Sequence, residues 1–153
     1  MPRTAVESNT GQTFAISASL PATFDASGYQ ASAVVFTTIG EVETMGPYGV
    51  TRQIIEFTPV DTGIVTKMSG SKNYGNMEAT LGNVPANAGQ AIVKAASESN
   101  AHYSVRVTYP DGEVHYLDVI VTSFEYSGGG ANDVERVNFG FAVTRAPVVV
   151  AAP

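Results

Sequence analysis

The chain has 153 residues, a length that fits one domain able to bury about 70% of the surface of its unfolded form. Cysteine is absent, which excludes disulfides and thiolate chemistry, and a net charge of −6 with only eight basic residues leaves no basic surface for nucleic acid or anionic lipid. Residues 1–10 lack the features of a secretory signal, and no segment reaches about 18 consecutive apolar residues. We therefore expect a soluble protein that is made in the cytoplasm and is not inserted into a membrane.

Short apolar segments, separated by glycine, proline, serine and threonine, dominate the first half of the chain. They lie at 12–18, 33–40, 51–59 and 76–82, and each predicts a β-strand. We find no internal repeat. This pattern is typical of an all-β sandwich or barrel.

The segment 59–76 is predicted to be a long loop between two of these strands. It has its own short apolar run, Ile64 and Val65, and two of the few basic residues, Lys67 and Lys72. Loops of this length are usually functional or disordered.

The alanine-rich segment 87–99 is predicted to be a helix. Asn87 is a suitable N-cap, and Gln90 follows it at the spacing of a capping box. Small apolar residues share one face of this helix, namely Ala88, Ala91, Ile92, Ala95 and Ala96. Their size predicts close packing of the helix on a sheet.

Residues 103–126 predict a β-hairpin, because Pro110 and Gly112 supply the backbone conformations of a tight turn. The returning strand is apolar on both sides, with Leu117, Val119 and Val121 on one face and Tyr116, Ile120 and Phe124 on the other. A small domain covers only one face of such a strand, so the second face requires a further partner.

The last strand is predicted at 134–145, after a flexible connection at 127–133. Its odd-numbered residues are large and apolar, whereas its even-numbered face is small and polar and includes Asn138 and Thr144. Residues 148–153 lack periodicity and are predicted to form an extended tail, which leaves 1–147 as a single domain.

Candidates for catalysis or ligand binding are weak. His102 and His115 could meet beside the hairpin but lack a third metal ligand, and the segment 70–75 lacks the order of a phosphate-binding loop. Glu41 and Glu43 are spaced for one face of a strand, where solvent exposure is the ordinary outcome. We therefore predict no catalytic residue, no metal site and no cofactor.

Several short motifs follow one another in a fixed order between residues 56 and 147. They are EFTPVD at 56–61, AGQ at 88–90, Y-x-V-R-V-x-Y-P-D-G at 103–112, V-x-S at 121–123 and a final R-A-P at 145–147. In this order and spacing, residues 54–147 resemble the tail-tube (major tail) proteins of long-tailed, non-contractile phages of the lambda type. The chain departs from that pattern in a shorter, less acidic loop and in having no additional Ig-like domain after Pro147, which predicts a plain tube.

The resemblance implies a mainly β, sandwich-like barrel flanked by one helix (87–99), with a long loop at 59–76. It also implies rings of six copies in which the inner sheets of neighbours join around a channel, and stacking of these rings into a tube. The implied partners are other copies of the chain, a tape-measure protein, tail-tip and tail-terminator proteins, and DNA that passes through without specific binding. The implied location is the virion tail, after synthesis in the host cytoplasm.

Three groups of residues are candidates for this assembly. The long loop is predicted to contact a neighbouring subunit or ring through Asp61, Ile64, Val65, Lys67, Lys72 and Tyr74. The second face of the returning strand is predicted to lie against a neighbour through Tyr116, Ile120 and Phe124. The channel wall is predicted to draw on Glu41, Glu43, Asp118, Thr122, Asn138 and Thr144.

Two alternatives remain open at this stage. One is a subunit of a contractile-tail or secretion-type tube, which shares the architecture. The other is a small β-sandwich module that binds sugar or protein through its seven tyrosines. The module predicts a stable monomer, whereas either tube predicts self-assembly.

Overall fold

The computed structural model describes residues 3–153 and confirms a mainly β fold with one main helix. The elements in chain order are β1 (Thr13–Ser17), α1 (Ala26–Tyr29), β2 (Thr37–Ile39), β3 (Val42–Met45), β4 (Thr51–Phe57), β5 (Thr66–Asn73), β6 (Asn76–Gly82), α2 (Ala88–Ser97), β7 (Tyr103–Thr108), β8 (Val114–Ser127), β9 (Arg136–Val143) and β10 (Val148–Val150). In the described part of the chain, no helix has the length and apolar character needed to cross a membrane.

The main sheet is antiparallel and curls back on itself. Its strands run in the order β2-β1-β7-β8-β9-β6-β3, with β10 attached to β8. The two end strands, β2 and β3, are joined by Gly40 and Glu41 alone, and three peptide units span at most about 11 Å. The ends of the sheet therefore lie close together, and the sheet curls around its core as a barrel in which β2 and β3 meet at a corner without pairing. Glu41 makes the sharp corner with φ of 60°, and its carbonyl accepts a hydrogen bond from Gly82 N at 2.8 Å.

Strand β8 belongs to both halves of this barrel. Its residues 114–119 pair with β7, and its residues 119–127 pair with β9, with a register shift between Val121 and Ser123. This β-bulge at Thr122 reverses which side chains face the core. Val119 and Val121 face inward before the bulge, and Phe124 lies opposite the buried Phe139 after it. The bulge thus accounts for part of the two-faced apolar pattern in the sequence.

Helix α2 closes the barrel beside the β2–β3 corner. The capping prediction is half confirmed: Asn87 Oδ1 accepts from Gln90 N at 3.1 Å, but the Gln90 side chain does not return to the cap. Instead its Nε2 donates to Gly40 O and Gly82 O at 3.0 and 2.9 Å, and its Oε1 accepts from Val84 N at 2.9 Å. Gln90 is buried, so this one side chain joins the helix to both ends of the sheet.

The face that α2 buries differs from the predicted alanine stripe. The buried residues are Gly89, Gln90, Val93 and Ala96, whereas Ala91 and Ala95 are exposed. Gly89 explains the rotation, because a Cβ there would collide with Thr38 O and only glycine lets the helix lie this close to β2.

The predicted long loop at 59–76 is the largest correction. Residues 66–73 form β5, which pairs with β4 in a separate two-stranded sheet. We call residues 51–73 the arm. The sequence hides this strand because Thr66–Asn73 has one large apolar residue, Met68, in an otherwise polar or small segment, and no buried face.

The arm continues the β3–β6 hairpin without a change of register. Met45 pairs with Ala79 in the barrel and Thr51 pairs with Asn73 in the arm, so six residues separate the two pairs on each strand. Between them lie Gly49 and Gly75, with φ of 147° and 84°. These glycines bend one long hairpin into a barrel part and a projecting part.

The end of the chain is also ordered. The prediction of an extended tail at 148–153 is corrected, because Val148–Val150 forms β10, which pairs with residues 114–116 of β8. It occupies the side of β8 that β9 leaves free, because β9 pairs only from Val119 onward.

Candidate assembly surfaces

One face of the curled sheet is polar and uncovered. It is formed by the outward side chains of β3, β6, β9 and residues 120–127 of β8, which we call the distal part of β8. We call this surface the polar face, and it includes Glu41, Glu43, Glu78, Thr80, Thr122, Ser123, Glu125, Arg136 and Asn138. Among the described residues it has four carboxylates and one guanidinium, so its formal charge is −3.

Cross-strand contacts order this face. Thr80 donates to Asn138 Oδ1 at 3.0 Å, and Arg136 Nε donates to Glu43 Oε2 at 2.7 Å. The hydrogen bond to Glu43 and its negative charge raise the pKa of Arg136. The pair is exposed and contributes little to stability. It leaves Glu41, Glu78 and Glu125 as the carboxylates of this face that form no ion pair within residues 3–153.

The predicted channel residues separate into two groups. Glu43, Thr122 and Asn138 lie on the polar face, and Glu41 lies at its end, since a Cβ on Gly82 would be 3.6 Å from the Cβ of Glu41. Thr144 is exposed and donates to Asp118 O at 3.1 Å, beyond the end of β9.

Asp118 is 3% exposed and is not on an open surface. Its carboxylate is bound by His102 Nδ1 and Arg145 Nε, each at 3.0 Å. Arg145 also lies over the ring of Phe24 at 3.8 Å. Asp118 therefore links β8 to the two segments that carry His102 and Arg145, and its carboxylate is not exposed on a surface that could line a channel.

The second face of β8 is covered in part by the same chain. Tyr116 is 5% exposed and stacks on Tyr29 of α1, with 5.0 Å between ring centroids. Burial, followed by the negative charge of Asp118, raises the pKa of Tyr29 to about 12. Tyr116 is thus unavailable to a neighbour, whereas Ile120 and Phe124 keep partial exposure.

Nearly every residue of the arm is exposed. Its large apolar side chains include Ile54, Ile55, Phe57 and Met68, which are 66%, 51%, 59% and 49% exposed. A two-stranded sheet without a covered face is at best marginally stable in water. The arm therefore has the composition of a segment that becomes buried against another molecule.

The predicted loop residues fall at different places on the arm. Asp61, Ile64 and Val65 lie at its end between β4 and β5, and all three are exposed. Lys67 and Lys72 lie on β5, where Lys67 pairs with Glu56 at 3.9 Å. Tyr74 lies outside the arm, at the bend, and packs partly against the core.

The base of the arm is fixed by a hydrogen-bonded cluster. The Tyr48 hydroxyl lies 2.6 Å from His115 Nδ1 and 3.0 Å from the Tyr109 hydroxyl, and His115 Nε2 lies 2.7 Å from Glu113 Oε1. Burial, followed by the bond with Tyr109, raises the pKa of Tyr48. The cluster anchors the bend of the hairpin to the β7–β8 turn. It could not be predicted from the sequence, because Tyr48 lies 67 residues from His115.

A groove runs between α2 and the distal part of β8. We call this site the groove, and its volume is about 450 Å³. Ala91 and Ala95 form one side, Phe124 and Tyr126 form the other, and Lys94 lies over the Tyr126 ring at 5.8 Å. An uncovered groove of alanines and aromatic rings fits an apolar partner.

The histidines have separate roles. His102 binds Asp118 and His115 belongs to the Tyr48 cluster, and no group of three potential metal ligands occurs within residues 3–153. Tyrosine is not arranged as a binding platform either, because of the seven tyrosines only Tyr126, at 60%, is largely exposed.

These surfaces define a structural subunit with a β-barrel body, one uncovered polar face and an apolar arm. The comparison with known families is specific: the family described as phage tail tube protein, TTP, matches residues 3–152. The chain belongs to the phage tail tube protein family, which confirms the resemblance found in the sequence.

Solved structures with the same fold come from several kinds of tube. The tail of an empty gene transfer agent particle, refined with C6 symmetry, is 14% identical, with 76% of this chain and 87% of that chain covered and a TM-score of 0.60. The SPP1 tail tube is 13% identical over 92% of this chain and 76% of that chain, with a TM-score of 0.59. A sheath/tube terminator of the extracellular contractile injection system PVC is 12% identical, with 97% and 100% covered and a TM-score of 0.64. No curated protein sequence matches the chain significantly.

Proposed function

We propose that the chain forms rings of six copies that stack into the tail tube of a virion, with the polar face lining the channel through which DNA leaves. The observation that supports this most is the polar face itself, an uncovered sheet surface with four glutamates and one arginine, in a chain of the tail tube family. Six-fold symmetry is supported by the similar tail of the gene transfer agent.

The negative charge of the polar face suits the wall of a channel for DNA. Six copies at −3 would place a formal charge of about −18 on each ring of the wall, which repels DNA phosphates. DNA passes more easily along a wall that repels its phosphates than along a wall of basic side chains. Basic side chains would bind the DNA through counterion release. The chain is proposed to act without catalysis or cofactor.

Sequence resemblance supports further partners and a place of synthesis. A tape-measure protein, tail-tip proteins and a tail-terminator protein would set tube length and ends, and the chain would be made in the host cytoplasm before incorporation into the tail. The arm and the exposed parts of Ile120 and Phe124 are the surfaces that we assign to contacts between copies.

A contractile-type tube is the second candidate, because the fold is also shared with a sheath/tube terminator of a contractile injection system. The two differ in their outer surface, since a contractile tube must bind a sheath. Reconstitution with sheath subunits separates them: co-sedimentation would favour the contractile tube, and its absence the plain tube.

The first experiment is concentration-dependent assembly of the purified chain, followed by negative-stain electron microscopy and light scattering. Hollow rings or tubes that grow with concentration are expected. A folded monomer that stays single at every concentration, and also after addition of a tail-tip complex, would overturn the proposed function.

The channel assignment has its own test, because the natural chain has no cysteine. In assembled tubes of an Asn138→Cys variant, a small maleimide should react while a maleimide on a large polyethylene glycol should not. The same variant before assembly is the control and should react with both. Equal reaction of the assembled tube with both reagents would place Asn138 outside the channel.

A further inference from the structure

We propose that the groove between α2 and the distal part of β8 receives the arm of a second copy of the chain. The inference rests on the proposed function for the existence of an assembly, and it names the two surfaces that meet. The apolar side of the arm, with Ile55, Phe57 and Met68, would lie on Ala91, Ala95, Phe124 and Tyr126.

The groove has an apolar lining that its own chain leaves uncovered. Ala91 and Ala95 have the apolar character of packed helix residues, yet both are exposed because α2 buries Val93 and Ala96 instead. Opposite them, Tyr126 is 60% exposed. The small side chains leave room for large ones, and the arm has large ones.

The edge of the sheet beside the groove is also unpaired. Residues 120–127 of β8 pair with β9 on one side, and no strand within residues 3–153 pairs with them on the other, since β7 ends its pairing at Val119. An unpaired edge next to apolar pockets is the arrangement that accepts an added strand. Backbone hydrogen bonds and side-chain burial would then act together.

The arm presents matching side chains on one of its two faces. Ile55 pairs with Met68 and Phe57 with Thr66, which places three large apolar side chains on one face. The other face carries the Glu56–Lys67 pair and Ile54, opposite Ser69. The seven residues of β4 extend about 23 Å, enough to lie along a neighbouring helix of ten residues.

The charge of the arm favours another copy as its partner. The arm has three basic and two acidic residues, a net charge of +1, so the remainder of a chain at −6 carries −7. The arm of one copy is therefore attracted to the body of the next. The lining of the groove includes one anionic side chain, Glu98, and one cationic side chain, Lys94, so it offers a neighbour to both the basic and the acidic residues of an incoming arm.

The test uses engineered disulfides in a chain that has none. An Ile55→Cys/Ala95→Cys variant, assembled and then oxidised, should give a ladder of covalent multimers on a denaturing gel. The matched control is Ile54→Cys/Ala95→Cys, which moves the thiol to the opposite face of the same strand. We expect at least about ten-fold more multimer from the first pair, because a disulfide requires close and correctly directed Cβ atoms.

A second pair, Met68→Cys/Ala91→Cys, guards against loss of assembly in the first, and electron microscopy of every sample separates the possible failures. Rings or tubes without multimers from either pair would overturn the groove assignment while leaving the proposed function intact. Equal ladders from the Ile54 and Ile55 variants would also overturn it, since the contact would then not depend on the apolar face. If the natural chain forms no assembly with a tail-tip complex, the proposed function and this inference both fail.

Discussion

The barrel body and the arm are built from the same kind of strand, yet they bury their side chains in opposite ways. In the body, every inward residue of β9, Val137, Phe139, Phe141 and Val143, is at most 6% exposed. In the arm, every residue of β4 is exposed. Regular hydrogen bonding alone therefore does not distinguish a stable part of this molecule from a part that needs a partner.

This difference shows which part of the molecule supplies the free energy of folding. The body gains its stability from apolar burial within one chain, which dominates folding. The arm has paired backbone groups but little burial, so it belongs to the part of the structure that opens at low cost. Substitutions should thus act on unfolding in the body and on assembly in the arm, and four predictions test this division.

The largest effect is expected from Phe141→Ala. Phe141 is fully buried and meets Phe139 edge to face at 5.2 Å, so its truncation should lower the free energy of unfolding by about 3–5 kcal/mol. Urea denaturation of the monomer measures it. The matched change Phe57→Ala in the arm should stay within about 0.5 kcal/mol and reduce ring formation instead. Similar losses of unfolding free energy at both positions would contradict the proposed difference between body and arm.

The second largest loss of stability is expected at Gln90, where helix α2 meets the sheet. Gln90→Leu keeps a buried side chain of similar size but leaves Gly40 O, Gly82 O and Val84 N without their partner. The expected loss is about 2–4 kcal/mol in urea denaturation. Lys94→Gln, on the exposed side of α2, is the control and should have little effect. A near-neutral Gln90→Leu would show that water replaces all three bonds.

Alkaline pH should weaken the body through Tyr29. Its pKa is raised to about 12 from an ordinary value of 10.0, so its contribution is complete below pH 10 and is lost as pH rises toward 12. The loss by pH 12 is about 2 kcal/mol. Between pH 8 and pH 12, the free energy of unfolding should fall less with rising pH in Tyr29→Phe than in the natural chain. The exposed Tyr126→Phe should follow the natural chain. Identical curves for all three would contradict the assignment.

The smallest effect is expected at the boundary between body and arm. Tyr48→Phe removes the hydroxyl that meets His115 and Tyr109, at a cost of about 1 kcal/mol. Amide exchange should accelerate in Thr51–Phe57 and remain unchanged in Arg136–Val143, as followed by mass spectrometry. Uniform acceleration would mean that the cluster stabilises the whole body and not the arm.

Much of the body could be predicted from the sequence because its signals are local. The strand at 76–82 and the hairpin around Pro110 and Gly112 are confirmed, since alternation and turn residues decide them. The helix is confirmed as well, through the Asn87 cap. The tail-tube family follows from motifs that lie mostly in the body, with EFTPVD at 56–61 in the arm.

What could not be predicted depends on contacts distant in sequence. The bulge at Thr122 reverses the faces of β8, and nothing in the local pattern marks it. The polar face gains Glu78 and Glu125 only once β6, β9 and β8 are in register, so both were missed as channel candidates. Strand β5 was missed because its side chains are not buried by this chain at all.

The bend between barrel and arm has a mechanical consequence. Because six residues separate the flanking pairs on each strand and the Tyr48 cluster anchors the bend, the arm leaves the barrel in one fixed direction and its two strands keep one register. A slip of one strand against the other would require backbone hydrogen bonds in both parts of the hairpin to break. Copies linked through their arms would therefore repeat the same spacing from subunit to subunit, which a tube of uniform diameter requires.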